Sequence, residues 1–193
     1  MSLTFESTAI GGVYVIDIAP IADDRGFFAR TFCRSEFAAR GLEPAVEQSN
    51  MSRNHVAGTL RGLHFQTAEA PESKLVRCTR GAVFDVLVDL RPESTTFGEH
   101  LAIELSEDNH RAVYVPAMFA HGYMTLVDDT EVHYQVSCEA TPGTERGLLF
   151  DDPVLEIDWP MTARVVSDKD RAWNPIGSHD ELRHLATETV PSA

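Results

Sequence analysis

Apolar residues along this chain fall into short alternating runs, and Gly, Pro, Asp or Asn interrupts them roughly every eight to twelve residues. The runs cover 12–18, 27–32, 45–52, 58–66, 74–81, 82–91, 100–106, 111–116, 121–127, 131–138 and 147–150. Many short strands at this spacing predict an all-β fold, a sandwich or a barrel. Helical periodicity is present in only two places. One is SEFAARG (35–41), with Ser35 as N-cap and Gly41 as stop, and the other is SHDELRHLATET (178–189), capped by Ser178. Both predict short peripheral helices, too small to organise a core.

The period of two assigns faces within the strands. In RGLHFQ (61–66), alternation places Gly62, His64 and Gln66 on one face and Arg61, Leu63 and Phe65 on the other, with the glycine leaving room for a ligand beside the imidazole. In AVFDVLVDLR (82–91), Phe84, Val86, Val88 and Leu90 share a face, which leaves Asp85 beside Leu87 on a second, half-buried face. In EVHYQVS, Tyr134 aligns inward with Val132 and Val136, opposite His133.

At 193 residues the chain is expected to form a single domain, 1–193, with a fraying tail over about 186–193. No apolar run is long enough to span a bilayer, and MSLTFESTAI lacks the flanks of a signal segment, so a soluble, cytoplasmic protein is expected. The formal charge of −14 argues against nucleic acid or an anionic membrane as partner. A small anionic ligand stays open, and it would need local cations. Arginine supplies nearly all of them; Lys74 and Lys169 are the only lysines, which hints that a compact ammonium is wanted at those positions. Three cysteines without a CxxC pair are expected to be reduced, with Cys78 and Cys138 buried in strands.

Taken one by one, His64, Lys74, Asp85, His121, Tyr134 and Asp170 are each consistent with a structural role. Together they supply a base, a cation, an acid and orienting carboxylates, the set a proton-transfer site needs. Other chemistries fit less well. HFQ carries Gln66 where a metal-binding jelly roll would carry its second histidine, so no metal is expected. GxSxG, GxGxxG and P-loop patterns are missing, so neither a nucleophilic serine nor a nicotinamide or ATP cofactor is indicated.

DDRGFF (23–28), QSNMS (48–52), GTLRGLHFQ (58–66), SKLV (73–76), GAVFDVLVDLR (81–91), VPAMFAHGY (115–123), HYQVS (133–137), FDDPVLEIDWP (150–160) and SDKD (167–170) occur in this order. From about residue 10 to 172 the chain thus resembles the dTDP-4-dehydrorhamnose 3,5-epimerase family. The resemblance implies a metal-free, cofactor-independent jelly roll (a cupin-like double-stranded β-helix), usually a homodimer sharing N-terminal strands. The substrate it implies is a nucleoside diphosphate 4-keto-6-deoxyhexose, inverted at C3 and C5. By position, His64 matches the general base, Asp170 its carboxylate partner, Lys74 the enolate-stabilising lysine and Tyr134 the opposite-face proton donor. His121 matches a further active-site histidine, paired here with Asp85. Arg25, Phe28, Gln48, Asn50, Arg61 and Lys169, with Asp85, fall at substrate-binding positions.

Three positions depart from the family pattern. Arg30 stands at a common glutamate, Ala140 at an aromatic that packs on the base, and Met118 at a glycine. The carrier base therefore stays open among dTDP, CDP, UDP and GDP. Mono-epimerisation at C3 or C5, ketoisomerisation and non-catalytic sugar-nucleotide binding are the alternative readings.

Overall fold

The structure, a computed structural model, describes residues 2–179 and Leu182. Among the described residues, fourteen strands run in chain order: β1 (Thr4–Ser7), β2 (Tyr14–Asp17), β3 (Ile21–Asp23), β4 (Gly26–Phe28), β5 (Gln48–Asn54), β6 (Thr59–Gln66), β7 (Lys74–Arg80), β8 (Ala82–Asp89), β9 (His100–Ser106), β10 (Ala112–Val115), β11 (Phe119–Thr125), β12 (Thr130–Val136), β13 (Glu145–Gly147) and β14 (Val165–Val166). Two short α-helices among the same residues, α1 (Arg34–Ala38) and α2 (Asp168–Arg171), sit at the periphery. One sheet has the order β1-β2-β10-β7-β12-β5 and the second the order β13-β6-β11-β8-β9, with β14 added parallel to β6. This is the expected antiparallel jelly-roll sandwich. A separate hairpin, β3–β4, stands off both sheets.

Alternation within the strands produces three apolar layers. Between the sheets, Val76, Val113 and Val132 of the first meet Val83, Leu87 and Phe119 of the second. The outer face of the second sheet buries Leu63, Phe65, Val86 and Val88 under the C-terminal segment through Leu148, Leu155 and Ile176. The outer face of the first is covered by α1, whose Phe37 packs with Ile16, Leu75 and Tyr114. Burying a side chain such as Phe37 contributes on the order of 2–3 kcal/mol, so a helix of five residues is held by its docking rather than by its own hydrogen bonds.

Several expectations are corrected. Helix α1 begins earlier than SEFAARG suggests: its N-cap is Cys33, not Ser35, with no side-chain cap bond. Glu36 instead accepts the Leu3 amide at 2.9 Å, tying the N-terminal segment to the helix. Gly41 follows the helix with φ +70°, as a stop residue does. In the run 27–32 only Phe27 and Phe28 are in a strand, and 147–150 contributes only Gly147. Cys138 lies beyond β12 and is half-buried; Cys78 is buried in β7. Ser178 closes a 3-10 turn, Ile176–Ser178. Most of the helix expected over 178–189, and the tail 186–193, lie outside the described residues.

Candidate active site

A cavity of about 620 Å³ opens between the sheets at one end of the sandwich. β5, β7 and β12 of the first sheet bring Gln48, Asn50, Lys74 and Tyr134 to it. β6 and β11 of the second bring Arg61, His64 and His121, and α2 closes the rim with Lys169 and Asp170. Nine of the expected residues therefore converge on one space. Asp85 stands directly behind it, fully buried rather than half-buried. Its carboxylate oxygens lie 2.9 and 3.0 Å from His121 Nε2, and β8–β11 pairing sets the two strands side by side.

His64 Nε2 lies 2.6 Å from Asp170 Oδ1. Ser167 caps α2 by accepting the Asp170 amide at 3.0 Å, which fixes the carboxylate under the imidazole. Burial alone would raise the Asp170 carboxyl. Hydrogen bonds from His64, Ser167 and the Gly62 amide, with the charge of the imidazole, outweigh that and hold it below the usual carboxylate range. The Tyr134 phenol is pushed up, first by burial and then by the charge of Glu72.

Arg61 reaches the cavity although simple alternation sends it to the other face from His64. The cause is a bulge. β11 pairs His121 with His64 but Tyr123 with Arg61, so one extra β6 residue is accommodated between them and the side-chain phase flips. Gly62 makes this possible. Its φ is +124°, and a Cβ there would lie 2.6 Å from Gly122 Cα and 2.9 Å from the His121 carbonyl oxygen. The glycine thus serves backbone approach between two strands, not space for a ligand beside His64. Arg61 Nε then donates to Asn54 Oδ1 at 2.8 Å, and the Asn54 amide donates to the Tyr123 hydroxyl at 3.3 Å.

Arg25 and Phe28 are not among the cavity-lining residues. They sit on the β3–β4 hairpin, where Arg25 pairs with Asp23 and Phe28 is 64% exposed. Of the three departures, Ala140 lines the cavity, whereas Arg30 pairs with Glu36 near α1 and Met118 occupies a positive-φ turn before β11. Four further lining or neighbouring side chains escaped the sequence reading. Glu72 and Tyr123 lie two residues from Lys74 and His121, so a period of two could have found them. Glu145 receives the Lys169 ammonium at 2.7 Å. Trp173 packs edge-on to His64 with ring centroids 6.3 Å apart and has no local pattern that signals it. Among the described residues, no three His, Cys, Asp or Glu side chains are grouped as metal ligands.

A jelly roll with carboxylate-held histidines on one wall of a cleft, and a phenol and an ammonium on the other, has the build of an isomerase that works by moving protons. Comparison with known proteins makes the assignment specific. A family profile described as dTDP-4-dehydrorhamnose 3,5-epimerase matches residues 7–177, and the chain belongs to that family. The dTDP-4-dehydrorhamnose 3,5-epimerase of Methanothermobacter thermautotrophicus is 42% identical over 175 residues, covering 89% of this chain and 94% of the relative. Among solved structures, the Bacillus anthracis epimerase with TDP and PPi bound superposes with TM-score 0.87 at 37% identity, covering 90% of this chain and 99% of the other. The Legionella pneumophila enzyme in complex with dTDP-4-keto-L-rhamnose matches with TM-score 0.87 at 34% identity, covering 93% and 95%.

Proposed function

We propose that this chain inverts C3 and C5 of a dTDP-linked 4-keto-6-deoxyhexose, with the sugar bound between His64 and Tyr134. The observation that carries the reading is the His64–Asp170 pair, at 2.6 Å, on one wall of the cavity whose other wall holds Tyr134 and Lys74. With Nε2–H donated to Asp170, Nδ1 keeps its lone pair and faces the reaction as the base. It takes the proton from the carbon beside the ketone, and the C–H electron pair moves into the carbonyl to give an enolate. The Lys74 ammonium stabilises the developing oxyanion. The enolate carbon then takes a proton from the Tyr134 hydroxyl on the opposite face, which inverts the centre. Phenolate and imidazolium reset against solvent.

His121, held by Asp85, is the further polar contact for the sugar, while Gln48, Asn50, Arg61 and Lys169 bind the nucleotide diphosphate. A homodimer fits the remaining features. The β3–β4 hairpin exposes Ile21, Phe27 and Phe28, and in a dimer it would carry Arg25 and Phe28 to the partner's cavity. Ala140 sits at the end expected for the base, so dTDP is preferred less strongly here than an aromatic would enforce. NMR of the substrate in heavy water tests the activity. Deuterium should appear at C3 and C5 with wild type and at neither with His64→Ala. Exchange at one carbon would make the enzyme a mono-epimerase, and no exchange with any base carrier would overturn the reading.

A further inference from the structure

Lys74, the proposed enolate stabiliser, is not alone in the cavity. Its ammonium forms an ion pair with Glu72 Oε1 at 3.1 Å, and the two side chains are only 16% and 9% exposed. A carboxylate beside the cation looks counterproductive in a site that must take an anionic nucleotide and develop an oxyanion. It nevertheless sits in the cavity that holds the Tyr134 phenol.

We infer that Glu72 is a positioning residue for the proton-donor wall: its carboxylate anchors the Lys74 ammonium and, as a fixed negative charge, keeps the Tyr134 phenol protonated until the enolate forms. This rests on the proposed epimerase mechanism. The charged and titratable neighbours sharing the cavity with Tyr134 are Glu72 and Lys74 at the start of β7, Arg61 and His64 on β6, His121 and Tyr123 on β11, Glu145 on β13, and Lys169 and Asp170 on α2. After burial itself, Glu72 raises the phenol most. Arg61 opposes it, and Glu145 adds to it. The Cys138 thiol, two residues beyond the end of β12, is also raised by burial and by Glu72, with Lys74 opposing. A phenol that stays protonated is the form that can donate; a phenolate on the reprotonation face would return the enolate to the starting epimer. Replacing Glu72 with a neutral amide removes a negative charge and leaves Lys74 uncompensated, and both changes favour phenolate.

The test uses Glu72→Gln and the charge-conserving Glu72→Asp in the full chain. The Tyr134 titration is read without substrate, as the ultraviolet difference between each protein and its Tyr134→Phe counterpart. In Glu72→Gln that titration should move to lower pH by roughly 0.5–1 unit, with the alkaline limb of kcat moving alongside and KM changing by less than about twofold. Glu72→Asp should restore both. If titration and limb both stay at their wild-type positions in Glu72→Gln, the inference is overturned even though wild type turns over. If wild type shows no exchange but the phenol titration moves, the charge role of Glu72 stands and the epimerase reading is what fails.

Discussion

The most direct probe of the proposed chemistry is Asp170→Asn. The substitution preserves shape while removing the charge that faces His64 Nε2 at 2.6 Å. Asp170 is 4% exposed, so water cannot replace what is lost. A hydrogen bond to a charged partner contributes roughly 1.5–3 kcal/mol. If that full amount stabilises the imidazolium formed on abstraction, the exchange rate should fall roughly 10- to 150-fold, at 1.36 kcal/mol per decade. Should the Asn amide nitrogen turn toward the ring, Nε2 must accept, the proton moves to Nδ1 and the base is lost outright, so the upper end of the range is the safer expectation. The assay is the rate of deuterium incorporation at C3 and C5, measured beside thermal unfolding so that a folding defect is not mistaken for a catalytic one. An Asp170→Asn enzyme that unfolds like wild type and keeps more than half its exchange rate would refute the assignment of this pair.

The buried Asp89 carboxylate accepts hydrogen bonds from the Arg91 amide and guanidinium, Ser94 and Thr96. Burial would raise it, but these donors hold it below its ordinary value. Its stabilising effect is therefore complete above the unfolded carboxyl value of about 3.9 and fades as pH falls through the lower folded value. Asp89→Asn should cost about 2–3 kcal/mol in urea unfolding at pH 7, and the gap from wild type should narrow in acid; a gap that does not shrink contradicts the account. Gly62→Ala would force a Cβ to 2.6 Å from Gly122 Cα at φ +124° and should destabilise by about 3 kcal/mol or more, with loss of exchange. A folded, active Gly62→Ala enzyme would show that the close strand approach is dispensable.

The strands were largely legible because their alternation is driven by burial on both sides of each sheet. Tyr134 between Val132 and Val136 is the clearest case: the same pattern that packs the valines aims the phenol inward. Where burial weakens, so did the reading. β1, β3 and β14 are four, three and two residues long, carry no fully buried position and leave no periodic signal in the sequence. Ser35 is a good cap by type, yet docking of Phe37 decides where α1 starts. The cavity set was legible through ordered motifs. A period-two argument puts Arg61 on the wrong face, because it has no means of seeing a bulge created by a strand distant in sequence. Arg25 and Phe28 rest on the resemblance alone, and neither lines the cavity of its own chain.

The contact between Gly62 and Gly122 ties together two motifs that look separate on paper. RGLHFQ and AHGY cannot drift independently, since a methyl group on either glycine would strike the backbone of the other's strand. For anyone transplanting this chemistry onto another β-scaffold, the smallest portable unit is consequently the antiparallel pair β6–β11. A graft of the six-residue motif alone would bring the histidine but leave the arginine outside.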